Sequence, residues 1–137
     1  MARIKYNLDV IKYISLFESL TGAKVKDCIV NDNIIFIVHE NEMGKAIGKQ
    51  GSNIKRVENT LKKKIRLIEF NNNVLQFVQN LIYPLKAKEI KEEEGMINIY
   101  CADVKTKGLL IGRDRHNINS INGIVKRYFG VTEVKVA

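Results

Sequence analysis

The stretch Ile47-Gly48-Lys49-Gln50-Gly51-Ser52-Asn53-Ile54-Lys55-Arg56 sets two glycines around two polar residues, with apolar helical sequence on either side. A helix–helix turn this short calls for backbone angles that glycine adopts cheaply. Without Cβ atoms, the main chain there can also approach a phosphate closely. The helix expected from Ser52 to about Lys63 would open with free backbone N–H groups and their partial positive charge. Lys49, Lys55 and Arg56 add full charges. Together these features predict a clamp on a nucleic-acid backbone.

The same pattern recurs. Shifting the chain by 64 positions lays Gly44-Lys45-Ala46-Ile47-Gly48-Lys49 over Gly108-Leu109-Leu110-Ile111-Gly112-Arg113, and Asn53-Ile54 over Asn117-Ile118. Ile54, Val57 and Leu61 then fall on Ile118, Ile121 and Val125, an apolar helical stripe in both copies. Upstream, Ile35 falls on Ile99, and Phe36 and Tyr100 take matching strand positions that are expected to be core. The repeat predicts an α+β fold of two units, residues 1–70 and 71–137, each ordered α-β-β-α-α-β.

In the first unit a helix is expected from Asn7 to about Leu20, with Leu8, Ile11, Ile14 and Phe17 on one side and Gly22 closing it. Strands follow at Val25–Val30 and Ile34–Val38, joined by the turn Asn31-Asp32-Asn33. A short helix is expected around Met43–Ile47 and a strand at Ile65–Phe70. The unbroken apolar run Ile34–Val38 predicts a strand covered on both faces. In the second unit the expected elements are a helix over about Val74–Tyr83, capped from Asn71–Asn73 and stopped by Pro84. After it come a strand Leu85–Ile90, a turn Glu92–Gly95 and a strand Met96–Ala102. A helix Lys105–Ile111, a loop Gly112–Arg115, a helix Asn117–Tyr128 and a strand Val131–Val136 close the unit. The join Asn71–Asn73 is too short for a flexible linker, so the halves are expected to pack rigidly together.

Gly48-Lys49-Gln50-Gly51, between two helices, resembles the Gly-x-x-Gly loop of the KH family, which clamps four nucleotides of RNA backbone. With a helix and strand ahead of the loop pair, the order is similar to the type II KH variant. That resemblance implies a three-stranded sheet with helices on one face. It also implies a groove for single-stranded bases floored by Ile47, Ile54 and the strand near Ile65–Ile68. Two such units, spanning almost the whole chain, are similar to the short archaeal members of a transcription termination and elongation factor family. The implied partner is a nascent transcript, with RNA polymerase as a further candidate. Carried over by position, the RNA-binding residues are Ile47, Gly48, Lys49, Gln50, Gly51, Ser52, Asn53, Lys55 and Arg56 in the first unit. Those of the second are Ile111, Gly112, Arg113 and Arg115. Its loop departs from the pattern, because Arg115 replaces the closing glycine and Asp114 would repel a phosphate at short range. Arg113 and Arg115 suit phosphate contacts, so a weaker, assisting grip is expected. Two alternatives stand beside this one: a ribosomal or ribosome-assembly KH protein on rRNA, and a KH-fold protein-interaction scaffold.

The bulk composition agrees with a polyanionic partner. The formal net charge over 137 residues is +8, and hydrophobic residues make up 45%. The charge is shared: residues 1–70 carry 13 Lys/Arg against 8 Asp/Glu, net +5, and residues 71–137 carry 10 against 7, net +3. No apolar run is long enough to span a bilayer, and the N-terminus lacks a secretory apolar stretch, so a cytoplasmic protein is expected. Lys62-Lys63-Lys64 closes a helix, where the dipole favours cations, so capping and solvation account for it. Cys28 and Cys101 are expected as buried strand thiols, and neither they nor His39 and His116 have metal-ligand spacing. The P-loop pattern fails, since three residues separate Gly44 from Gly48 where four are needed, and Gln50 follows Lys49. With no nucleophile–base arrangement either, no enzyme, cofactor, metal or small-molecule substrate is expected.

Overall fold

The computed structural model describes residues 8–31 and 33–137, with side chains from Asp9 onward. Asn7, the side chain of Leu8 and Asp32, each assigned a place above, lie outside the described residues. The chain divides into two compact units, one closing at Asn71 and the next opening at Asn72.

The first unit runs α1 (Leu8–Thr21), β1 (Val25–Val30), β2 (Ile34–Val38), α2 (Met43–Ile47), a 3₁₀ turn (Lys49–Gly51), α3 (Ser52–Leu61) and β3 (Ile65–Glu69). Gly22, at φ +75°, ends α1 and donates its N–H to Glu18 O at 2.8 Å. The Thr21 hydroxyl secures the same end by donating to Phe17 O. The sheet order is β1-β2-β3, antiparallel then parallel, with Phe36 paired to Cys28 and Leu67. All five residues of β2 are buried, as their unbroken apolar run predicts. Phe17 of α1 stacks on Phe36 with ring centroids 4.3 Å apart, and Val10, Cys28, Ala46 and Val57 are among the buried residues of the same cluster. Buried aromatics of this kind each contribute several kcal/mol; truncating one to alanine costs about 3–5 kcal/mol.

The second unit runs α4 (Val74–Ile82), β4 (Glu89–Glu93), β5 (Met96–Tyr100), α5 (Val104–Ile111), a 3₁₀ turn (Arg113–Arg115), α6 (His116–Tyr128) and β6 (Glu133–Val136). Asn73 caps α4, its side chain accepting the N–H groups of Leu75 and Gln76. The sheet order β4-β5-β6 repeats the antiparallel-then-parallel pairing. Phe77 meets Tyr128 edge-on at 5.8 Å and Phe129 at 5.5 Å. The Asn122 amide accepts Val134 N–H and donates to Val134 O, locking α6 to β6.

Three expectations fail in this unit. The strand expected at Leu85–Ile90 lies instead at Glu89–Glu93. Leu85 N–H turns back to Ile82 O, and the two-residue turn Glu94-Gly95, both at positive φ, lets the charged segment pair up to Glu93. Tyr100 is not a core residue: it is half-exposed, and its hydroxyl donates to Glu93 at 2.7 Å, which holds that carboxyl below its ordinary range. Cys101 sits just past β5, only half-buried, whereas Cys28 is buried as expected. Among the described residues no His, Cys, Asp or Glu cluster could hold a metal, and no helix is long and apolar enough to cross a membrane.

Candidate nucleic-acid interface

The first loop is built around two glycines in different situations. Gly48 ends α2, its N–H donating to Gly44 O at 2.9 Å, and it sits at φ 74°, ψ 175°. That region is essentially open to glycine alone. A Cβ there would also lie 2.7 Å from Asn53 Cγ and 2.9 Å from Asn53 N, closer than real Cβ contacts come. Gln50 (φ 55°) and Gly51 (φ 74°, ψ 17°) are both left-handed, and Gly51 N–H returns to Gly48 O at 3.2 Å. At Gly51 a Cβ would meet only Ile54 Cγ2, at an ordinary 3.7 Å.

A side-chain strut holds the loop. Asn53, packed under Gly48, donates from Nδ2 to Lys45 O at 2.8 Å and so ties the start of α3 to the end of α2. At the other end of α2, Glu42 accepts the Lys24 N–H at 2.9 Å and pairs with Lys45 at 3.4 Å. The Lys24 N–H is the main cause of a Glu42 carboxyl held below its ordinary range.

What surrounds the loop is open and basic. Lys49, Gln50, Ser52, Lys55 and Arg56 are exposed, while Gly48, Gly51 and Asn53 are half-buried. Helices α4 and α5 carry side-chain caps from Asn73 and Asp103, but α3 starts from Gly51 with no side-chain cap and no acid in its first turn. Its leading N–H groups thus lack a competing carboxylate, the arrangement that suits an anion. The apolar floor is narrower than expected. Ile47 is 39% exposed and Ile54 and Ile65 are half-buried, whereas Ile68 is 1% exposed and lies in the core.

The second loop keeps this conformation without the second glycine. Gly112 has φ 75°, ψ 172°, and a Cβ there would lie 2.8 Å from Asn117 Cγ. Asp114 (φ 53°) and Arg115 (φ 62°, ψ 21°) take the angles of Gln50 and Gly51. Arg115 N–H reaches Gly112 O at 3.2 Å, and Asn117 Nδ2 reaches Leu109 O at 2.8 Å. A non-glycine left-handed residue costs roughly 1–2 kcal/mol, which the rest of this loop must offset. Helix α6 also begins with no side-chain cap. Arg113, Arg115 and His116 are exposed, Ile111 and Gly112 half-buried, and an open hollow of about 440 Å³ is lined by Arg113, Asp114, His116, Asn117 and Asn119. Asn117 was not among the candidate residues predicted from sequence. Its signal was an asparagine five residues after the first glycine in both copies.

A helix–Gly-x-x-Gly–helix loop beside a three-stranded sheet defines a KH-type α+β protein, and the KH domain family model matches residues 11–94. Relatives agree over nearly the full length. A probable transcription termination protein NusA from Methanococcus vannielii is 36% identical over 98% of this chain and 80% of its own. One from Halococcus morrhuae is 30% identical over 98% of this chain and 99% of its own. The crystal structure of APE1850, 31% identical, superposes with a TM-score of 0.76 over 96% of this chain and all of that one. The chain belongs to the NusA family of KH-domain transcription termination proteins.

Proposed function

We propose that this protein grips nascent single-stranded RNA in transcription termination, antitermination or elongation control. It does so through two tandem type II KH domains, residues 1–70 and 71–137, and performs no catalysis. Ile47, Gly48, Lys49, Gln50, Gly51, Ser52, Asn53, Lys55 and Arg56 form the principal clamp. Ile111, Gly112, Arg113 and Arg115 form an assisting one. The carrying observation is the preorganised bend at Gly48, sterically closed to any side chain and followed by an uncapped helix start among exposed cations. Such a bend presents main-chain donors to a phosphate at little conformational cost on binding. The transcript's partner complex, RNA polymerase included, is the setting that family membership suggests.

The test is Lys49→Asp with Gln50→Asp. Neither glycine changes, and the left-handed angles of Gln50 suit aspartate, since Asp114 holds them in the second loop. Charge-assisted contacts are worth about 1.5–3 kcal/mol, so single-stranded RNA affinity should fall by roughly 10- to 100-fold. The thermal midpoint should stay within about 2 °C, as expected for exposed substitutions. Undiminished affinity would exclude the first loop as the clamp.

A further inference from the structure

The clamp residues on α3 are the near end of a longer exposed feature that runs past the loop. Its exposed side is Ser52, Lys55, Arg56, Asn59 and Thr60, and the turn after it exposes Lys62, Lys63 and Lys64. These positions recur at helical spacing, so they form one ridge running away from the loop. The one acid in α3, Glu58, is turned inward, its Oε2 accepting the Ile65 N–H at 3.1 Å. Among the described residues none of the ridge cations is ion-paired.

The lysine turn is fixed. Lys62 is left-handed at φ 54°, Lys64 O accepts Ile34 N–H at 3.2 Å, and Glu58 holds the next residue. Three like charges are thus presented from a pinned corner, where helix capping would need only one. Among the described residues the second unit has no such lysine corner: α6 exposes His116, Asn117, Asn119, Gly123 and Lys126, and its last residue, Tyr128, packs on Phe77 together with the following Phe129.

We infer that the α3 ridge is an electrostatic track that carries RNA beyond the loop to a second phosphate-binding corner at Lys62–Lys64. This inference rests on the clamp reading and extends its footprint past four nucleotides. Ten residues of helix span about 15 Å. Screening at physiological salt acts over about 8 Å. The corner therefore cannot act through solvent on phosphates seated at the loop; it acts only on nucleotides that reach it.

The measurement compares a four-nucleotide and a twelve-nucleotide single-stranded RNA across a salt series, using the whole chain and the variant Lys62→Gln/Lys63→Gln/Lys64→Gln. Each lost phosphate contact lowers the slope of log affinity against log salt by about 0.7. For the twelve-mer the slope should flatten by about 2 and affinity at low salt should fall at least tenfold. The four-mer should bind as before. The triple Lys→Arg variant, which keeps the charges, should restore twelve-mer binding. An unchanged twelve-mer slope, or equal losses for both lengths, overturns the track and leaves the corner to an acidic protein surface or to solvent. Lys49→Asp/Gln50→Asp separates the two ideas: four-mer binding that survives it refutes the clamp, whatever the lysines do.

Discussion

Replacing Gly48 by alanine should damage the fold far more than the same change at Gly51, although both belong to one four-residue motif. At Gly48, φ 74° with ψ 175° lies where side-chain-bearing residues are strained by about 1–3 kcal/mol. The new Cβ would also stand 2.7–2.9 Å from Asn53 Cγ, Cβ and N, so the start of α3 must shift. That shift breaks the Asn53–Lys45 bond of 2.8 Å, worth about 1 kcal/mol. The sum is about 3 kcal/mol, after the small offset from a less flexible unfolded chain. At Gly51 only the left-handed φ counts, since its Cβ would touch Ile54 at 3.7 Å, and the cost is about 1 kcal/mol. Urea unfolding of the intact chain, followed by circular dichroism, reads both. Equal losses, or a larger loss at Gly51, would refute the division of labour between the two glycines.

Three further outcomes follow from the structure. Arg115→Gly should relieve a left-handed arginine and change stability by less than about 1 kcal/mol, the strain relief being partly cancelled by unfolded-state entropy; a large loss in urea unfolding would contradict this. Asn73→Ala should cost about 1 kcal/mol by uncapping α4, read as a lowered midpoint, whereas Asn73→Asp should largely preserve it. The Asp103 carboxyl, held below its ordinary range chiefly by the Thr106 N–H, stabilises α5 fully above the unfolded carboxylate pKa of about 3.9 and loses that contribution as pH falls through its lower folded value. Asp103→Asn keeps an acceptor, so amide exchange in the first turn of α5 should lose its acid sensitivity near and below pH 4; an unaltered acid response would place the sensitivity elsewhere.

The glycine loop, the β2 run and the duplicated helix stripe were legible because each is a local pattern with one physical solution. The orientation of β5 was not. A shift of 64 that superposes the loops puts Tyr100 opposite Phe36, yet it is Ile97 and Ile99 that are buried. Phe36 lies eight residues before Gly44, and Ile99 nine before Gly108, so one added residue turns the strand over. Strand β4 was misplaced because its pairing is fixed by the Glu94-Gly95 turn and not by apolar side chains: four of its five residues are exposed. The second loop looked degenerate because its motif lacks a glycine. Only coordinates reveal that the missing glycine is the dispensable one, and that Asn117 props the loop as Asn53 props the first.

On this mechanism RNA backbone is held at the preformed bends opening α3 and α6. Titrating isotope-labelled protein with single-stranded RNA and following its amide resonances tests this directly. The largest shifts should fall on Gly48–Asn53, followed by Gly112–Asn117. Shifts confined to other elements, such as the β4–β5 hairpin, with both loops silent, would contradict it.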